Sequence, residues 1–246
     1  MSDAIPAKVE PSAKRVRVYF GGEVIGDTIH AKLVWEIPHY PAYYFPVADV
    51  RTNCLLESDR TERSPMLGEA RYFNVGGGNR VVANAAWHYP QSPIIEIRDH
   101  VRFEWDQMDA WFEEDEEVFV HAHDPYKRMD ILHSSRHIEV SVNGVTLADT
   151  RRPTIVYETG APIRYYIPKP DVHMNLLEPT DKRTGCAYKG FASYWSVSVD
   201  TVKRENIAWS YAMPIAECAK IAGLVAFFNE QVDLSIDGAL QERPPG

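Results

Sequence analysis

The chain has 246 residues, 45% of them hydrophobic and 25% charged, with a formal net charge of −9. The length fits two domains of ordinary size, and the composition is that of a soluble globular protein. The acidic balance excludes a nucleic-acid backbone as partner, which needs a basic stripe, and no apolar run approaches the about 18 residues of a membrane span.

Met1 to Lys14 is rich in Pro, Ala, Ser and Lys, lacks the apolar stretch of a secretory signal, and reads as a disordered lead-in. Val16, Val18 and Phe20 then alternate with polar or larger residues up to Gly21-Gly22, which predicts a β-hairpin. Lys32 to Glu36 reads as the next strand. Tyr43-Tyr44-Phe45-Pro46 reads as one that ends at a bend or an edge, because proline cannot donate to a central ladder. Ala70 to Val75 and the segment ending in Trp87 follow as strands. Gly76-Gly77-Gly78-Asn79-Arg80 between them predicts a hairpin turn rather than a phosphate loop, since no helix follows. Met108, Trp111 and Phe112 stand at helical spacing. Glu113 to Glu117 are five consecutive acids and read as the start of a solvated connector, residues 113–136. Within it, His121 and His123 would share one face of a strand, but no third ligand stands at a telling spacing, so no metal is expected.

The second part repeats the first. Shifted by 122 positions, residues 15–89 align with 137–211 without a gap, and 22 of the 75 pairs are identical. A repeat of this length is a domain. The expected organisation is a first domain over 15–112 and a second over 137–240, with a disordered tail over 241–246. Ile138, Val140 and Val142 lead into Asn143-Gly144, the strongest signal for a type I′ hairpin. Thr154 to Glu158, Ala192 to Val197 and the segment ending in Trp209 match strands of the first copy. Pro214 to Ile221 predicts a helix, with proline at its start and Gly223 after it. Val225 to Phe228 and Val232 to Ile236 return to strand pattern. The fold class is therefore mainly β with minor α, as two tandem homologous domains formed by internal duplication.

Several motifs carry a family resemblance. They are Tyr165-Tyr166-x-Pro168-x-x-Asp171-Val172, Cys186-Ala187-Tyr188-Lys189-Gly190-x-Ala192-x-Tyr194-Trp195, Ala208-Trp209-x-Tyr211, Ala226-Phe227-Phe228 and Asp237-Gly238. The chain resembles, from about residue 14 to 240, the two-copy bacterial members of the family catalogued as domain of unknown function 427. That resemblance implies a β-tent-like fold, similar to methionine sulfoxide reductase B and the thalidomide-binding domain of cereblon. Those relatives commonly carry a zinc held by two Cys-x-x-Cys pairs. The cysteines here are Cys54, Cys186 and Cys218, with no such pair, so no zinc of that kind is expected. Three scattered cysteines also fit a reducing cytoplasm better than a disulfide framework. The family's inherited label of nucleotidyltransferase finds no support in a P-loop or in a Gly-Ser motif paired with two acids.

Positions shared by both copies point to the fold, and positions that differ point to a specialised site. Cys186 and Lys189 of the second copy stand where the first has Ser64 and Leu67. A lysine can act as base, nucleophile or anion clamp, and a thiolate beside an ammonium can attack. Lys189, Asp171 and Cys186 are therefore the candidates for chemistry. Tyr165, Tyr166, Tyr194, Trp209, Tyr211 and Glu158 are the candidates for ligand binding. Neighbouring residues of a strand point to opposite faces, so only one of Tyr165 and Tyr166 can face a cleft. Trp209 and Tyr211, two apart, share a face. The expected function is binding, with or without conversion, of a small organic molecule in an aromatic-lined pocket of the second domain or the domain interface. No metal or cofactor is expected to take part. A non-catalytic binding protein and nucleotidyl transfer are the alternatives. A homodimer is compatible with the sequence.

Overall fold

The computed structural model describes residues 7–199 and 202–244. The chain divides between Pro125 and Tyr126 into two compact units. Each is built from the same two antiparallel sheets.

In the first unit a seven-stranded sheet runs in the order Lys8–Pro11, Lys32–Ile37, Tyr40–Pro46, His100–Phe103, Arg80–His88, Gly68–Gly77, Leu55–Ser64. A four-stranded sheet runs Glu116–Glu117, Ala110–Glu113, Val16–Phe20, Glu23–Thr28. In the second unit the large sheet runs Met129–His133, Thr154–Glu158, Arg164–Ile167, Val225–Phe227, Val202–Tyr211, Gly190–Val199, Leu177–Cys186. Its small sheet runs Val145–Thr150, Ile138–Val142, Asp233–Ile236, Ala239–Leu240. The duplication extends to irregularities. Register shifts fall at Val18/Tyr19 and Val140/Ser141, at Glu57/Thr61 and Pro179/Arg183, and at Phe73/Val75 and Trp195/Val197. Each pair is 122 positions apart. Asn84 and Asn206 both take positive φ, 56° and 52°.

Period-two patterning decides what the large sheet buries. In the second unit Ile155, Tyr165, Ile167, Val225 and Phe227 share one core with Ile138, Val140, Leu234 and Ile236 of the small sheet. The alternate residues Val156, Tyr166, Ala226, Trp209 and Tyr211 form a separate cluster, capped by Ile131, Cys218 and Ile221. Burying each large side chain contributes about 1.5–3 kcal/mol. Both faces of the large sheet are thus apolar, and the second face carries the cleft described below.

The Gly-Gly hairpin of the first unit shows why glycine is needed there. Gly21 has φ +63°, and a Cβ added to it would lie 2.5 Å from the Gly77 carbonyl oxygen. Gly77 in turn packs on Phe20, with a virtual Cβ 2.9 Å from its ring. The turn at Gly21 and the glycine run at 76–78 interlock backbone to backbone. Gly21→Ala is expected to cost the first unit about 2 kcal/mol or more, from positive φ plus the clash. Gly22→Ala, at φ +80° with open space around it, should cost about 1 kcal/mol. Urea unfolding of both variants checks the order.

Four sequence expectations change. The helix over Pro214 to Ile221 is a 3-10 helix over Ala216–Ile221, broken at Cys218 (φ −104°, ψ 15°). Its counterpart is the short 3-10 turn Ile95–Ile97, which lies after the ungapped alignment ends. Met108, Trp111 and Phe112 do not form a helix: Ala110–Glu113 is a strand pairing with Val16–Tyr19, and Trp111 alternates inward onto Trp105 at 4.4 Å. The lead-in is partly ordered, since Lys8–Pro11 pairs with Lys32–Trp35; Met1 to Pro6 lie outside the described residues. At the other end Gln241 donates its backbone N–H to Leu234, and Arg243 pairs with Asp233 at 2.7 Å.

The acidic run is also more than a connector. Glu114 has φ 51°, and the turn it opens brings Glu116–Glu117 back beside Phe112–Glu113. Glu113 is 6% exposed. Its carboxylate accepts hydrogen bonds from Tyr43 OH (2.5 Å), His123 Nδ1 (3.0 Å) and Lys14 Nζ. Burial pushes its pKa up, but His123, Lys14 and Tyr43 together outweigh burial and hold it at about 2.

Candidate functional site

The second face of the second unit's large sheet opens into a cleft of about 220 Å³. Five strands and a tight turn position its walls. Glu158 and Val156 come from Thr154–Glu158, Arg164 and Tyr166 from Arg164–Ile167, Trp209 and Tyr211 from Val202–Tyr211, and Tyr194 from Gly190–Val199. Phe228 follows Val225–Phe227. Lys189 sits in the turn before Gly190, whose φ is +94°, as does Leu67 before Gly68, also at +94°.

Lys189 is 8% exposed. Its ammonium donates to Glu158 Oε2 at 2.5 Å and lies 3.9 Å from Met129 Sδ. The other oxygen, Glu158 Oε1, pairs with Lys127 Nζ at 3.0 Å. Two ammonium groups therefore share one carboxylate. Burial raises the pKa of Glu158, but Lys189 and then Lys127 overcome it, and the net shift is downward.

The rings are placed by contact geometry. Trp209 stands edge-on to Tyr166, ring centroids 6.3 Å apart, and its indole N–H donates to the Tyr166 hydroxyl at 3.3 Å. Phe228 packs on Trp209 at 4.4 Å. The guanidinium of Arg164 lies 5.4 Å from the Trp209 ring and 5.5 Å from Phe228. Glu230 holds it in place through two bonds of 2.8 and 2.9 Å. Tyr194 exchanges a hydrogen bond with Thr184 at 2.7 Å. Burial pushes the phenols of Tyr166 and Tyr211 far above their ordinary value, so both stay protonated across the working range.

The structure brings Glu158, Tyr166, Lys189, Tyr194, Trp209 and Tyr211 to this one cleft. It places three other candidates elsewhere. Tyr165 faces the opposite core, as strand alternation requires. Asp171 lies in the 3-10 turn Lys169–Asp171, where its carboxylate accepts from Thr150 (2.7 Å) and from Arg152 (2.8 and 2.9 Å). Arg152, then Thr150, lower its pKa to about 2. Asp49 makes the same bond to Thr28 at 2.6 Å. Both aspartates tie a turn to the hairpin, which is a fold role. Cys186 packs at the edge of the ring cluster, and its carbonyl accepts the Lys189 backbone N–H at 3.2 Å. The thiol beneath the same turn is that of Cys218, which donates to the Tyr188 carbonyl at 3.0 Å and which burial raises to about 11. Arg164 and Phe228 line the cleft, and Glu230 and Lys127 pair with its Arg164 and Glu158, though none of the four was a candidate. The pairing of Arg164 with Glu230 spans 66 positions and leaves no local signal.

His121 and His123 do not converge. His121 contacts the Ala122 carbonyl at 2.8 Å and the Tyr40 ring, whereas His123 lies on Glu113. Among the described residues no group of three or more His, Cys, Asp or Glu is placed to hold a metal ion. No helix among them is long and apolar enough to cross a membrane.

The model of a family described as Domain of unknown function (DUF427) matches residues 8–114 and again 130–238. The chain belongs to this family. No curated protein matches it in sequence.

The two DUF427 copies carry equivalent clefts with different chemistry. In the first, Glu36, Tyr44, Tyr72, Trp87 and Tyr89 occupy the places of Glu158, Tyr166, Tyr194, Trp209 and Tyr211. Leu67, fully buried, stands in place of Lys189. The cation facing the carboxylate is Arg102, from a different strand, at 2.8 Å from Glu36 Oε1 and 4.7 Å over Trp87. The DUF427 frame thus keeps a carboxylate, an indole and three phenols, and changes the cation.

Proposed function

We propose that this chain binds a small organic molecule with a flat apolar body and an anionic group in the cleft of its second copy. The supporting observation is the placement of Lys189, nearly buried at a ring-walled cleft and sharing the Glu158 carboxylate with Lys127. Two ammonium groups on one carboxylate leave one positive charge in excess, and charge in a partly dry site is strongly felt. An organic anion answers that excess. Trp209, Phe228 and the tyrosines offer stacking worth about 0.5–1.5 kcal/mol per ring pair. The protonated hydroxyl of Tyr211 is a further donor. The reading calls on no metal or cofactor.

Thermal shift and tryptophan fluorescence with benzoate and indole-3-carboxylate test it. The full chain should show saturable stabilisation. Lys189→Met, which keeps an apolar stem, should weaken binding about 10- to 100-fold, the loss of one charge-assisted hydrogen bond. An unchanged response in that variant overturns the proposal. Product appearing in the same mixtures would extend the role from binding to conversion. Nucleotidyl transfer, suggested by the family model's short name, predicts instead calorimetric binding of a nucleoside triphosphate with Mg²⁺.

A further inference from the structure

We infer that the first copy holds a second binding site, independent of the one above, for a flat organic molecule rich in N–H donors, of the amidinium or guanidinium type. The first copy's cleft is twice as large, about 440 Å³ against 220 Å³. Its carboxylates are differently satisfied. In the second copy both oxygens of Glu158 are taken, one by each lysine. In the first copy Arg102 and Tyr44 both bond Glu36 Oε1, at 2.8 and 3.5 Å, and Oε2 has no hydrogen-bond partner among the described residues. Glu62 repeats the pattern: Arg60 (2.8 Å) and Tyr72 (3.0 Å) both bond its Oε2, leaving Oε1 without a hydrogen-bond partner among the described residues. Glu36 and Glu62 both line the cleft, and each keeps one carboxylate oxygen as an open acceptor. Leu67, standing in place of Lys189, removes one of the two ammonium groups that occupy the carboxylate in the second copy.

The walls suit a flat donor. Trp87 and Tyr72 lie 5.4 Å apart at 31°, and Tyr89 lines the same cleft. Arg102 shows that the arrangement accepts a planar N–H group: its guanidinium lies over Trp87 while it donates to Glu36. An external amidinium would make the same pair of contacts on the free oxygen, as charge-assisted hydrogen bonds with stacking on the rings. Arg60, Arg63 and Arg102 stand against Glu36 and Glu62 here, so net charge does not favour a cation. Selectivity therefore rests on acceptor geometry at Glu36 and Glu62.

Titration of the full chain with benzamidine, and with benzoate as the opposite probe, tests this. Benzamidine should saturate. Glu36→Gln should weaken it about tenfold or more, Glu62→Gln should weaken it by a smaller factor, and Lys189→Met should leave it unchanged. Benzamidine that fails to saturate, or that binds Glu36→Gln as tightly as the parent, overturns the inference. If Glu36→Gln fails to fold, Glu62→Gln decides: its side chain is 58% exposed, so it retains the fold. Unaltered affinity in it then overturns the inference. Because the second-copy proposal is read with benzoate and Lys189, failure of one reading leaves the other standing.

Discussion

Replacing Glu113 by glutamine is expected to cost the first half about 3 kcal/mol at pH 7, shrinking to about 1 kcal/mol at pH 3. The folded pKa of about 2 lies below the ordinary 4.5, so folding favours the ionised form. A depressed carboxylate contributes its full stability above the unfolded pKa and loses it as the pH falls through 4.5 toward 2. Tyr43 and His123 carry this effect, because the ammonium of Lys14 is half exposed and screened by water. In the second half the equivalent register position, opposite Ile138, is the apolar Ile236. The dependence should therefore belong to the first half. Urea unfolding at pH 7 and pH 3, with hydrogen exchange to assign each unit, measures it. A cost that does not change with pH would mean that the carboxylate's charge is not what the site stabilises.

Much of the fold was legible because its signals are local. Alternation in Ile138–Val142 and the Asn143-Gly144 pair specify a hairpin without tertiary help, and Asn143 and Gly144 do take positive φ, 50° and 78°. Trp111 misled because three apolar residues fit a helical spacing as well as a strand. Pairing with Val16–Tyr19 decided it, and that contact spans more than 90 positions. Glu113 misled in the same way. Five acids in a row look solvated, yet a hairpin turn at Glu114 folds the first of them inward against Tyr43, a partner 70 positions away.

The cleft was legible to the extent that duplication marked it. Tyr166, Tyr194, Trp209 and Tyr211 recur at Tyr44, Tyr72, Trp87 and Tyr89, and period two brings them to one face. The departure of Lys189 from Leu67 showed where the copies part. Asp171 shares the recurrence but serves the turn, so recurrence alone does not separate a ligand wall from a structural tie. Arg164 and Arg102 show the converse. Each places a guanidinium over the shared tryptophan from a different strand, a likeness in space without a likeness in aligned sequence.

That comparison also sets the order expected for mutations at the lysine-carboxylate cluster. Glu158→Ala should cost about 3–5 kcal/mol, because it leaves Lys127 and Lys189, each 10% exposed, facing one another without a counterion. Lys189→Leu should cost clearly less. Glu158 then keeps Lys127, and the first half already accommodates a buried leucine, Leu67, in the same turn before a glycine of φ +94°. The double variant should fall short of the sum of the two by at least about 1 kcal/mol, since removing Lys189 relieves the repulsion that Glu158→Ala creates. Acid should imitate the glutamate variant. The pKa of Glu158 is lowered in the folded state, so its contribution is present above the unfolded carboxylate range and lost as the pH falls through the folded value. Denaturant unfolding of the four proteins at pH 7 and pH 3 supplies the cycle. Additive costs, or a costlier Lys189→Leu than Glu158→Ala, would show that the three side chains do not act as one cluster.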